Sequence, residues 1–130
     1  MKKFITTVCL LALISNVYSI DAPDQVKMVF AKQKLYAGQY LGALTIYKEV
    51  LQKYPDDAVV LYYVGYCNFQ LKKIDIATEN LKKALATNKD VKPETHLLLG
   101  KIYLSEEKID EALVEFNTYK SLVNTKSAEM

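Results

Sequence analysis

One block of about ten residues recurs along this chain of 130, and no other feature constrains the fold as tightly. Gly38-Gln39-Tyr40-Leu41-Gly42-Ala43-Leu44-Thr45-Ile46-Tyr47 returns in outline as Lys72-Lys73-Ile74-Asp75-Ile76-Ala77-Thr78-Glu79-Asn80-Leu81. It returns again as Glu107-Lys108-Ile109-Asp110-Glu111-Ala112-Leu113-Val114-Glu115-Phe116. The marker alanines Ala43, Ala77 and Ala112 stand 34 and 35 residues apart. Ahead of two of them lie Val64-Gly65 and Leu99-Gly100, pairs again 35 apart. A period of this length means that each copy is one small unit that cannot bury its apolar face alone and must stack on its neighbours.

The residues between the markers say what each unit is made of. Leu44, Tyr47, Val50, Leu51 and Tyr54 recur at helical spacing, and no stretch alternates with period two, so helices are expected and sheet is not. Pro55-Asp56-Asp57 stops one helix and opens the next, because proline cannot continue the ladder and an aspartate can accept orphan amides. Gly38 sits where a helix ends on a C-cap glycine. Small residues recur where two helices must approach closely: Ala31 with Ala43, Gly65 with Ala77, and Gly100 with Ala112. The expected fold is all-α, with six helices near 22–36, 40–53, 57–70, 74–87, 92–104 and 108–122.

This pattern resembles the tetratricopeptide repeat (TPR), W-x₂-L-G-x₂-Y followed by A-x₃-F and P. Repeats over 24–57, 58–92 and 93–126 place Phe30, Ala31, Ala43, Tyr47, Val50 and Pro55 on the pattern in the first copy. The second copy places Leu61, Val64, Gly65, Ala77, Leu81 and Ala84, and the third Leu99, Gly100, Tyr103, Ala112 and Phe116. Lys27, Lys34, Asn68, Lys89, His96, Tyr119 and Asn124 depart from it. The resemblance covers residues 24–124 and implies a right-handed superhelical solenoid of three helix-turn-helix units with one concave face.

The first nineteen residues read differently. A basic start, Met1-Lys2-Lys3, precedes an apolar run from Phe4 to Leu13, and Val17 and Ser19 sit at the third and first positions before a cut. The run falls short of the roughly 20 residues of a spanning helix. We therefore expect export, with cleavage after Ser19 and a periplasmic or secreted product. The remaining chain keeps one cysteine, Cys67, so no internal disulfide is expected. It carries 15 lysines against 15 carboxylates, and no arginine occurs anywhere. A neutral chain without arginine has little means of holding a phosphate backbone, which excludes nucleic acid as the expected partner.

Candidate chemistry is sparse. His96 has no second histidine near it, and Cys67 has apolar neighbours and no cation to activate it. Glu106-Glu107 and Asp110-Glu111 read as a solvated helix start rather than as an acid–base pair. No phosphate-cradling glycine loop, nucleophile elbow or metal spacing is found. The expectation is a protein that is not an enzyme and needs no cofactor or metal.

What remains is recognition of another protein. The resemblance implies a groove lined by positions 2, 5, 9 and 12 of each repeat, with 6 and 13 nearby. These carry over to Gln25, Met28, Lys32 and Leu35, then Val59, Tyr62, Tyr66 and Phe69, then Glu94, Leu97, Lys101 and Leu104. Tyr62, Tyr66 and Phe69 stand at i, i+4 and i+7 and could serve as core or as an aromatic floor for a peptide. The family's clamp for chaperone carboxylate tails wants Lys and Asn in the first repeat, Asn in the second, and Lys and Arg in the third. Met28, Lys32, Tyr63, Glu94 and Leu98 stand there instead, so that clamp is not expected. Two readings follow: an adaptor or scaffold of the bacterial cell envelope gripping a protein segment in its groove, or a structural subunit engaged through an uncapped C-terminal helix pair. The second is motivated by Leu113, Phe116, Tyr119, Leu122 and Val123, which cannot all face the preceding repeat. Charge points the same way: residues 58–92 hold six lysines against three acids, and residues 93–130 hold four against seven. Self-association through the C-terminal helix is therefore expected to be salt-sensitive.

Overall fold

The computed structural model describes residues 20–129, so the expected export signal and its cut after Ser19 lie outside the described residues. Six helices follow in order: α1 Ala22–Tyr36, α2 Tyr40–Lys53, α3 Ala58–Gln70, α4 Ile74–Thr87, α5 Glu94–Ser105 and α6 Ile109–Ala128. No strand occurs among the described residues. Eleven of the twelve helix ends lie within two residues of the expected ones. The exception is the end of α6, expected at 122 and found at Ala128. Nothing between Val123 and Ala128 breaks a helix, and the Thr125 and Ser127 hydroxyls donate back to the carbonyls of Ser121 and Asn124. The expectation that the segment from Asn124 onward lies outside the helix is thereby corrected.

Three-residue connections fold α1 on α2, α3 on α4 and α5 on α6 as antiparallel hairpins. All three turns use one backbone solution. Gly38, Lys72 and Glu107 occupy the left-handed region, with φ of 73°, 64° and 60°. The next residue then donates to a carbonyl five back: Gln39 to Lys34 at 2.8 Å, Lys73 to Asn68 at 2.9 Å, and Lys108 to Tyr103 at 2.9 Å. Only the first turn has the glycine that this conformation favours.

Between hairpins, α2 packs on α3 and α4 packs on α5. Asp57 caps α3, its carboxylate accepting from the Val60 N–H at 2.9 Å. The helices cross where side chains are smallest: Ala31, Ala43, Ala77 and Ala112 are buried. A Cβ on Gly65 would stand 2.8 Å from Leu81 Cγ, and one on Gly100 would stand 2.5 Å from Phe116 Cε1. Tyr47, Leu61, Leu81, Leu99 and Ile102 fill the core along the stack. The result is an all-α helical-repeat solenoid, with α3 largely buried at its centre and in contact with α5.

Candidate functional site

Residues on α1, α3 and the α4–α5 connection converge on an open cavity of about 190 Å³. Leu35 and Tyr36 come from the last turn of α1, and Tyr62, Tyr63 and Tyr66 from the middle of α3. Lys92 and Glu94 close it from the connection and the start of α5. The walls are aromatic because α3 is apolar nearly all round. It buries Leu61, Val64 and Cys67, and also Tyr62 and Tyr63, whose edges reach the cavity beside the half-buried Tyr66.

The rings form a continuous series. Tyr63 meets Tyr62 edge-on at 5.2 Å between centroids, Tyr62 meets Tyr66 at 6.3 Å, and Tyr66 meets Tyr40 of α2 at 6.3 Å. Such contacts hold the rings in defined orientations, so the cavity is largely preformed. Burial, and then the Glu94 carboxylate, raise the Tyr62 phenol well above its ordinary value, so it stays a neutral hydrogen-bonding group. The Lys92 ammonium stands 5.5 Å from the Tyr62 centroid and 5.6 Å from that of Tyr63, within cation–π range. Lys32 faces Tyr63 and Tyr36, which raise it above the ordinary lysine value. The cavity thus offers aromatic faces and phenol hydroxyls, with one ammonium group and one carboxylate at the rim.

The groove residues read from the sequence divide between several places. Leu35, Tyr62 and Tyr66 line the cavity, and Lys32 stands beside it. Met28 and Phe69 are half-buried against the core. Leu97 is half-buried on α5, Lys101 and Leu104 are exposed there, and none of the three lines the cavity. Tyr36 and Tyr63 occupy the neighbouring positions 13 and 6 of their repeats, a signal the sequence did carry. Lys92 had no such signal, because its place depends on the course of the six-residue connection after α4.

Two residues singled out in the sequence lie elsewhere. Cys67 is buried, and burial pushes its thiol up to about 11, which leaves it protonated and unreactive. His96 joins α5 to α6, its Nδ1 lying 2.6 Å from Glu115 Oε2. Among the described residues no group of three or more His, Cys, Asp or Glu side chains could hold a metal ion.

Residues 27–57, which form most of the first hairpin, match the tetratricopeptide repeat family. The chain is 30% identical to the BBSome complex member BBS4 of Bos taurus over 95 residues, 73% of this chain and 18% of that protein. The Mus musculus protein of the same name is 30% identical over 97 residues, 75% of this chain and 18% of its own. The chain therefore spans less than a fifth of the length of these curated relatives.

Among solved structures, the type III secretion translocator chaperone SycD of Yersinia enterocolitica superposes with a TM-score of 0.73 at 14% identity, covering 82% of this chain and 80% of that one. The first TPR of Spaghetti (RPAP3), bound to an HSP90 peptide, gives 0.70 at 20% identity over 79% and 82%. MamA from Desulfovibrio magneticus gives 0.68 at 20% identity over 78% and 56%. These likenesses show the TPR-type helical fold.

Proposed function

We propose that this chain is a non-catalytic adaptor that holds a segment of another protein against the tyrosine wall of α3. The observation that carries the reading is the cavity of Leu35, Tyr36, Tyr62, Tyr63 and Tyr66, closed by Lys92 and Glu94. Tyrosine supplies large contact area at low entropic cost and keeps a polar tip for a peptide backbone. Solved neighbours described as bound to an HSP90 peptide and as a translocator chaperone support a protein or peptide as the ligand class. On this reading the chain has three such repeats, 24–57, 58–92 and 93–126, and binds neither nucleic acid nor a cofactor.

We place the adaptor in the bacterial cell envelope, exported and cut after Ser19. The support is the basic start, short apolar core and Val17/Ser19 spacing. No helix of the described residues is long and apolar enough to cross a membrane. Intact-mass analysis of protein from the native envelope is expected to find Ile20 at the N-terminus; a full-length chain in the membrane fraction would defeat that part of the reading.

A second reading has one observation in its favour. Helix α6 exposes Ile109, Leu113 and Val114, as a structural subunit engaged through its C-terminal helix pair would. A photo-crosslinking residue separates the two. At Tyr66 it is expected to capture the partner and at Leu113 nothing other than a second copy of this chain; capture of a different protein at Leu113 with none at Tyr66 would favour the subunit.

A further inference from the structure

Among the described residues the stack has two open ends, and the repeat period identifies what each end lacks. Val26, Val29 and Phe30 on α1 are 54%, 57% and 56% exposed. Moved 34 residues along the chain, they become Val60, Tyr63 and Val64 of α3, all buried. Moved 35 further, they become Thr95, Leu98 and Leu99 of α5, buried again. In α3 this face lies on the preceding hairpin, as the Tyr47–Tyr63 stack shows. The open face of α1 is therefore the same inter-repeat face with nothing on it among the described residues.

The other end is its counterpart. On α2, Leu44 and Tyr47 are buried beside α3. Their equivalents on α6 are Leu113, which is 52% exposed, and Phe116, which is half-buried. Hence α6 presents the face that α2 presents, and α1 presents the face that α3 presents. One chain carries both halves of a joint that it already makes once internally.

We propose that copies of this chain associate head to tail, α6 of one copy packing on α1 of the next as α2 packs on α3. In the internal joint Tyr47 lies on Tyr63; across copies Phe116 would lie on Val29, with Leu113 near Val26 and Phe30. Charge matches as well. Tyr40 of α2 lies 6.3 Å from Tyr66 of α3, and the equivalents at the open ends are Ile109 and Lys32. That brings Lys32, near the last turn of α1, to the start of α6, where Glu106, Glu107, Asp110 and Glu111 outnumber Lys108, itself 2.7 Å from Glu106 Oε2. Cations at a helix C-terminus against acids at a helix N-terminus is a favourable meeting, and one that salt weakens. A heterologous contact of this kind does not close on itself, so it adds copies in a row.

Two surface variants test the direction of the contact. Phe30→Asp blocks only the α1 face and Leu113→Asp only the α6 face. Sedimentation of the wild-type chain over a concentration series is expected to show mass that keeps rising, less steeply at high salt. Each variant alone is expected to remain monomeric, its association weakened by at least about tenfold by the charge it would bury. An equal mixture is expected to form a dimer that stops at two copies, since each variant supplies the face the other lacks. A wild-type monomer throughout, or a Phe30→Asp variant that still dimerises while Leu113→Asp does not, overturns the proposal; the latter result would mean a symmetric α6–α6 pair. Val29→Asp and Ile109→Asp are the second pair, used if circular dichroism shows either first variant unfolded.

Discussion

The Tyr47 ring lies flat on the Tyr63 ring, with centroids 4.9 Å apart and planes 5° from parallel. This stack joins α2 to α3 and so sets one hairpin on the next. Tyr47 is fully buried, and its hydroxyl has no hydrogen-bond partner among the described residues. Burial accordingly raises its phenol well above the ordinary tyrosine value.

A buried hydroxyl without a partner carries its desolvation cost uncompensated. Tyr47→Phe keeps the stacked ring and removes that cost, so stability is expected to hold or to rise by up to about 1 kcal/mol. Tyr47→Ala removes the ring and is expected to lose about 3–5 kcal/mol. Urea denaturation of the two variants checks both; a Phe variant clearly weaker than wild type would mean that the hydroxyl is bonded in solution.

The three hairpin turns give a graded prediction. Lys72 and Glu107 hold φ of 64° and 60° without being glycine. Lys72→Gly and Glu107→Gly are each expected to stabilise the chain by about 0.5–1 kcal/mol, relief of backbone strain being offset in part by a more flexible unfolded state. Gly38→Ala, at φ 73° with open space around it, is expected to cost about 1 kcal/mol. Thermal unfolding of the three variants would show opposite signs at equivalent positions.

Close helix crossing is tested at Gly65 and Ala77. A Cβ on Gly65 meets Leu81 at 2.8 Å and the Ala77 carbonyl oxygen at 3.3 Å, so Gly65→Ala forces a shift. Ala77→Leu places four heavy atoms in place of one methyl at a fully buried site. Each is expected to lower stability by about 1–3 kcal/mol, as overpacking does. Unchanged melting in Ala77→Leu would remove the basis for the repeat register.

These positions also show how much of the molecule was legible beforehand. The alanine and glycine spacing marked the crossings, and Pro55 and Asp57 marked the boundary between α2 and α3, because steric and capping rules act locally. The left-handed Lys72 and Glu107 became identifiable only by alignment with Gly38, since neither residue advertises a positive φ. The buried Asp24 gave no signal, because Lys53 and Tyr54, which donate to it at the end of α2, lie about thirty residues away. The cavity was half legible. Leu35, Tyr62 and Tyr66 followed from helical register, whereas Lys92 required the three-dimensional course of a connection. The end of α6 was expected six residues early, and no helix breaker lies between Val123 and Ala128 to stop it.

Asp24 makes the fold sensitive to acid. Its carboxylate accepts from Lys53 Nζ at 2.8 Å and from the Tyr54 hydroxyl at 3.2 Å, and Asp21 accepts from the same ammonium at 2.8 Å. The hydrogen bonds from Lys53 hold both carboxyls below their ordinary value of 3.8. A group whose folded value is depressed contributes stability above its unfolded value and loses it as pH falls through the folded one. The melting temperature is therefore expected to hold from neutral pH down to the ordinary carboxylate range and then to fall. Asp24→Asn should melt lower at neutral pH, with the gap to wild type narrowing below 3.8. A gap of constant size across that range would show that Asp24 acts without its charge.

The groove itself is tested most directly by the affinity of one peptide for four proteins. A peptide selected on the wild-type chain from a random library is titrated calorimetrically into wild type, Tyr66→Ser, Lys92→Ala and Leu113→Asp, all confirmed as folded. The tyrosine wall predicts a loss of about tenfold or more for Tyr66→Ser, a smaller loss for Lys92→Ala, and wild-type affinity for Leu113→Asp. Full affinity in both groove variants, with binding abolished by Leu113→Asp, would contradict the adaptor reading and place recognition on α6.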